Sequence, residues 1–139
     1  MSAVMRRCFV LVLLAAAACM RTLPDQDLRI RNAVAVAKMS PADLWQDFQK
    51  DAAAAHRQYW GKAIEISGKA TSADAPDAAA PAVFFAQAET RGVRARLLID
   101  DAPEILKVAS SGQRITLKCF CEGLHTDLIL KSCVLTQVR

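Results

Sequence analysis

A chain of 139 residues fits one domain with little left over. Hydrophobic residues make up 53% of it, but much of that is alanine, which brings little area per residue, so one modest core is expected. The formal charge of +4 falls to +2 once Arg6 and Arg7 are set aside with an N-terminal signal; from Gly61 onward ten basic side chains face nine acidic ones. A dedicated nucleic-acid binder needs clustered positive charge to displace counterions, and this balance argues against one.

Arg6-Arg7 precedes an apolar run from Cys8 to Ala18, and no acidic residue stands before Asp25. A short basic region, an apolar stretch and small residues at its end predict a secretory signal over residues 1–18. The run is shorter than the ~20 apolar residues of a membrane-crossing helix. Leu14-Ala15-Ala16-Ala17-Ala18-Cys19 looks like a bacterial lipobox, although its leucine usually stands three residues before the cysteine, where this chain has Ala16. Cys19 is therefore the lipidation candidate, with plain cleavage after Ala18 as the alternative. Lipid attachment implies a membrane-anchored protein on the periplasmic side of a bacterial cell envelope. By analogy with other lipoproteins, Met20 favours the outer membrane; plain cleavage implies secretion to the periplasm.

Residues 19–40, with mixed charges such as Arg21, Asp25, Asp27, Arg29 and Arg31, read as a tether, and residues 41–139 as the folded domain. Ser40-Pro41 predicts a helix start, because serine caps and proline suits the first turn. Leu44, Phe48, Ala52, Ala55 and Tyr59 form one apolar stripe that continues to Gly61. The period then changes to two. Ile64, Ile66 and Gly68 alternate with Glu65, Ser67 and Lys69 in a first strand. Thr71 to Pro81 is a loop, Ala82 to Ala88 a second strand, and Arg91-Gly92 a turn. Val93 to Ile99 is a third strand, and Asp101 to Ser110 a short helix. Ile115 to Cys121 and Leu128 to Leu135 are the fourth and fifth strands.

Five short strands with a helix between the third and fourth predict a mainly β fold: a five-stranded OB-fold barrel with an N-terminal helix packed on it. At these residues the chain resembles the tRNA-anti-like OB-fold family of bacterial lipoproteins. The resemblance runs from about Pro41 to Leu135 and rests on Tyr59-Trp60-Gly61-Lys62, Ile64-Glu65-Ile66-Ser67-Gly68, Gly112-Gln113-Arg114-Ile115-Thr116-Leu117, Cys121-Glu122-Gly123 and Leu128-Ile129-Leu130-Lys131-Ser132-Cys133. The chain departs from that pattern at Asp51, often Asn, and at Cys119, often Gly. The family name records a fold similarity to anticodon-binding domains and does not establish tRNA binding.

Of five cysteines, Cys8 leaves with the signal and Cys19 is the acylation candidate. Cys119, Cys121 and Cys133 remain, for a disulfide, free buried thiols or a metal site. The i, i+2 spacing of Cys119 and Cys121 is not the Cys-x₂₋₄-Cys of structural zinc sites, and export favours a disulfide. Folding the chain back at Thr126-Asp127-Leu128 sets Cys121 opposite Cys133, which predicts a bond between them. Lys131 then shares the Cys133 face, so it needs a place at the rim or a bulge.

His56 and His125 form no triad with a nucleophile and carboxylate, and Asp100-Asp101 reads as a helix start. An OB barrel binds on its second and third strands, which gives a candidate ligand face of Phe84, Phe85, Gln87, Arg94 and Arg96. Aromatic rings beside arginines suit single-stranded nucleic acid or sugars. The expectation is a non-enzymatic binding or assembly module of the envelope, with no cofactor and no metal, whose partner is an envelope protein or glycan. A nucleic-acid-binding module and an oligosaccharide-binding envelope protein are the alternatives.

Overall fold

The computed structural model describes residues 22–74 and 80–139. The signal, Cys19 and part of the Thr71–Pro81 loop lie outside the described residues. Among the described residues seven strands form one sheet: β1 Lys38–Met39, β2 Ala63–Lys69, β3 Ser72–Ala73, β4 Ala82–Ala86, β5 Gly92–Leu97, β6 Arg114–Leu124 and β7 Leu128–Val138. Their order is β1-β2-β6-β7-β5-β4-β3, so the sheet is open, with the two-residue strands β1 and β3 at its edges. The predicted five strands are all present as β2, β4, β5, β6 and β7; the closed five-stranded barrel is not. Only Ala70 and Thr71 separate β2 from β3, which pairs with β4, so covalent chain links two distant positions of the curled sheet.

The single predicted helix is two: α1 Pro41–Lys50 and α2 Ala52–Tyr59. Ser40 caps α1 by accepting from Asp43 N–H, as its sequence predicts. Asp51 breaks the run. Its extended backbone ends α1, and its carboxylate accepts from Ala54 N–H to begin α2. The phase of the stripe shifts there: Leu44, Trp45, Phe48, Ala55 and Tyr59 are buried, whereas Ala52 is exposed. A third helix, α3 Ala102–Ser110, buries Ala102, Ile105, Leu106 and Ala109 against the core.

The main core lies between the helices and one face of the sheet, where Ile64, Ile66, Val93, Leu97, Ile115 and Leu117 meet Leu44, Phe48 and Ile105. A smaller cluster lies on the other face, where Ile30, Ala63, Leu98, Phe120 and Val134 pack together with Leu23 and Ala33. This second layer corrects the predicted tether for residues 22–40; residues 19–21 lie outside the described residues. A 3-10 turn at Leu28–Arg31 fully buries Ile30, and Val36 N–H bonds Ala63 C=O ahead of β1. With both faces covered, β6 and β7 are buried along most of their length, which blurs the alternation a half-exposed strand shows.

The hairpin of β6 and β7 also corrects the disulfide. Cys133 is bonded to Cys119, and Cys121 is a free buried thiol. The turn of the hairpin sets this register, and two bulges of opposite sense leave it in place at the cysteines. The strands close as Leu124 opposite Leu128, so the loop is His125-Thr126-Asp127 and turns one residue earlier than predicted. That turn alone sets Cys119 opposite Cys133. Glu122 is then an extra residue of β6 between the pairs Gly123–Ile129 and Cys121–Leu130. A second bulge, which sets Ser132 and Cys133 of β7 against the single Cys119 between the pairs Phe120–Lys131 and Lys118–Val134, restores the register. Ser132 takes the positive φ of 56° at this bulge. The bulge at Glu122 moves Lys131 from opposite Cys121 to opposite Phe120, on the outer face and away from the core cysteines.

Candidate functional site

The outer face of β5 and the β6–β7 hairpin form a groove of about 390 Å³. Strand alternation aims Arg94 and Arg96 of β5 the same way, and the parallel pairing of β5 with β7 sets them beside Ile129 and Lys131. Asp127 Oδ2 lies 3.6 Å from Arg94 Nε, and Asp25 Oδ1 lies 3.6 Å from Arg96 Nη1. The Arg94 guanidinium also sits 5.2 Å from the Phe84 ring centroid, across the β4–β5 ladder.

One wall is the segment that the sequence reads as a tether. Lys131 Nζ donates to Leu23 C=O at 2.7 Å and lies 3.1 Å from Asp25 Oδ1. Leu23 N–H donates to Glu122 Oε2 at 3.0 Å. Lys131 and Glu122 are both buried, and their ion-pair distance is 3.9 Å. Burial of two opposite charges is tolerable here because each also has a backbone partner. The Ser132 hydroxyl accepts from Asp27 N–H at 2.9 Å, and its hydrogen faces the carbonyls of Asp25 and Pro24 at 2.9 and 3.1 Å. Gln26 clamps the edge beyond, donating to Leu97 C=O and accepting from Ile99 N–H. Asp27 caps the 3-10 turn, and hydrogen bonds from Arg29 hold its carboxyl below the usual carboxylate range.

The other wall is the tip of the hairpin. Asp127 Oδ1 accepts from Gly92 N–H at 3.0 Å. Arg91 donates to Thr126 C=O at 2.7 Å and lies over the Trp45 ring at 5.4 Å, which ties the tip to α1. Only glycine fits at 92, because a Cβ there would overlap the Phe85 carbonyl. Gly123, at φ 115°, lets His56 of α2 approach: a Cβ would stand 3.1 Å from its Nδ1. His56 is exposed and stacks obliquely on Trp60, while His125 lines the groove.

The predicted ligand face is thus partly assembled. Arg94 and Arg96 share the groove and Phe84 flanks it. Phe85 does not belong to it, since its ring is buried in the core, and Gln87 lines a separate hollow beside Pro41 and Gly68. Sequence reasoning missed Asp25, Glu122, Asp127 and Lys131. The awkward Lys131, a charge in a strand otherwise buried, was the available signal for the last of these.

Away from the groove, the Tyr59 hydroxyl donates to Asp47 Oδ2 at 2.7 Å, and burial together with that carboxylate pushes its pKa up to about 12. Burial likewise pushes the Cys121 thiol up to about 12, which makes it unreactive at neutral pH. No group of three or more His, Cys, Asp or Glu suited to a metal ion occurs among the described residues. No helix among them is long and apolar enough to cross a membrane.

The curled sheet, the hairpins β4–β5 and β6–β7, the parallel β5–β7 pair and the helix between β5 and β6 together define an OB-type module in broad outline. The chain belongs to the tRNA_anti-like family, whose model matches residues 2–134. No curated protein and no solved structure matches it.

Proposed function

We propose that this protein is an exported, lipid-anchored binding module of the bacterial cell envelope, held at Cys19 and without catalytic activity of its own. The groove over β5 and the β6–β7 hairpin is its ligand face. The observation that carries the reading is the pairing of the groove's charges. Arg94 faces Asp127, Arg96 faces Asp25, and Lys131 lies between Asp25 and Glu122. Such a surface suits a polar ligand of balanced charge and offers a polyanion little uncompensated positive potential.

The test is ligand capture by the chain from Cys19 onward, at several salt concentrations, from detergent-solubilised envelope components and from single-stranded oligonucleotide. Capture of an envelope component with a shallow salt dependence, lost in an R94S/R96S double variant, supports the reading. Preferential capture of the oligonucleotide with a steep salt slope contradicts it and makes the protein a nucleic-acid module.

A further inference from the structure

The residues held against the groove begin at Thr22, only three residues after Cys19. Three peptide units reach at most about 11 Å, whereas a free tether over residues 19–40 would reach about 75 Å. The chain is then fixed in succession by Leu23 on Glu122 and Lys131, Gln26 on the end of β5, Asp27 on Ser132, and buried Ile30. An acyl chain on Cys19 would therefore hold one particular side of the domain against the bilayer, and Thr22 is itself part of the groove wall.

The groove's chemistry fits what that side would meet. Arg94 and Arg96 are each about a third exposed, and their ion pairs, at 3.6 Å, are longer than an N–H···O hydrogen bond, so donors remain free. The Asp25 carboxylate, 42% exposed, stands next to them. Cationic forks beside an exposed carboxylate match a headgroup that carries a phosphate and an ammonium together. We propose that the groove faces the bilayer holding the anchor and takes the headgroup of a zwitterionic phospholipid, with its phosphate at Arg94 and Arg96 and its ammonium at Asp25. This rests on lipid attachment at Cys19, as given above.

The experiment uses the chain from Cys19 onward, which contains every described residue. Its Cys19 thiol is coupled to a maleimide lipid in vesicles; Cys121 is buried, and Cys119 and Cys133 are bonded to each other. Amide hydrogen exchange then compares the His125–Asp127 tip with the Ser111–Gln113 turn, at opposite ends of a β6 that spans roughly 33 Å. On zwitterionic phospholipid vesicles the tip should exchange about tenfold more slowly than in the free chain, with Ser111–Gln113 unchanged. An R94S/R96S variant should lose most of that protection while remaining coupled and folded. Absence of protection at the tip, protection at Ser111–Gln113 instead, or equal protection on vesicles of an uncharged glycolipid would each overturn the proposal. Because the coupling is chemical, the result does not depend on acylation in the cell, which the mass of the native N-terminus tests separately.

Discussion

Replacing Ile30 with alanine separates a docked N-terminal segment from a free tether. Ile30 is fully buried in the outer-face cluster with Ala63, Leu98, Phe120 and Val134. The substitution removes three carbon atoms, which at about 0.8 kcal/mol each contribute about 2.4 kcal/mol. The cavity left behind adds to this, within the range of about 2–5 kcal/mol for such truncations. In urea unfolding followed by far-ultraviolet circular dichroism, with a slope of about 2 kcal/mol per molar, the midpoint should fall by at least about 1 M. An unanchored segment would respond as exposed chain does, by about 0.5 kcal/mol or less. An I30A midpoint within 0.2 M (about 0.4 kcal/mol) of the parent would refute the second layer and with it the short reach from Cys19 to the groove.

Non-reducing peptide mapping should recover Cys119 joined to Cys133 and Cys121 free, and reduction should lower stability by roughly 3 kcal/mol through the unfolded chain, given a sequence separation of 14. A Cys121–Cys133 peptide would show that the hairpin turns one residue later than Leu124 opposite Leu128. In the folded protein at pH 8, iodoacetamide should leave Cys121 unmodified and react with it on denaturation; rapid alkylation without denaturant would show that the thiol is accessible. Stability should decline in strong alkali, because the folded pKa values of Cys121 and Tyr59 lie near 12, above ordinary values of 9.0 and 10.0. Folding favours their protonated forms, so the contribution is complete below about pH 9 and is lost as pH rises towards 12. A flat stability profile from pH 9 to 11.5 in a Y59F variant as well as in the parent, both with the disulfide intact, would remove both effects. The R94S/R96S double variant should change folding stability by less than about 1 kcal/mol, because both ion pairs are partly exposed. A larger loss would mean that the arginines hold the sheet together and do not chiefly serve a ligand.

The strands were legible because their period of two is clean wherever one face is wet. Ile64-Glu65-Ile66-Ser67 and Val93-Arg94-Ala95-Arg96 each display it. The Ser40-Pro41 start of α1 was legible from capping chemistry, and the helix before Gly112 from composition, although Asp101 at its start makes no side-chain cap. The break at Asp51 was harder to see, because an alanine-rich stripe stays apolar on several faces and only the aspartate marks the cap. Register was the main failure. A hairpin loop shifted by one residue changed the partner of Cys133, offsetting bulges at Glu122 and Ser132 kept the new partner and turned Lys131 outward, and none of these leaves a local sequence mark. The groove was half legible for a related reason. Arg94 and Arg96 announce themselves on an alternating strand, whereas Asp25 comes beside Arg96 and Lys131 only because a charged N-terminal stretch docks across the sheet, and Lys131 faces outward only through the irregular register of β6 and β7. Its mixed composition looks like linker, and the fully buried Ile30 is a small signal among its charges.

The central proposal is an exported module held to a membrane through Cys19, and the mass of the N-terminal peptide from protein isolated with envelope membranes tests it most directly. The expected chain begins at Cys19 and carries acyl groups on that residue. A chain that begins at an unmodified Cys19 would contradict the anchor, and one that retains Met1 would contradict export as well.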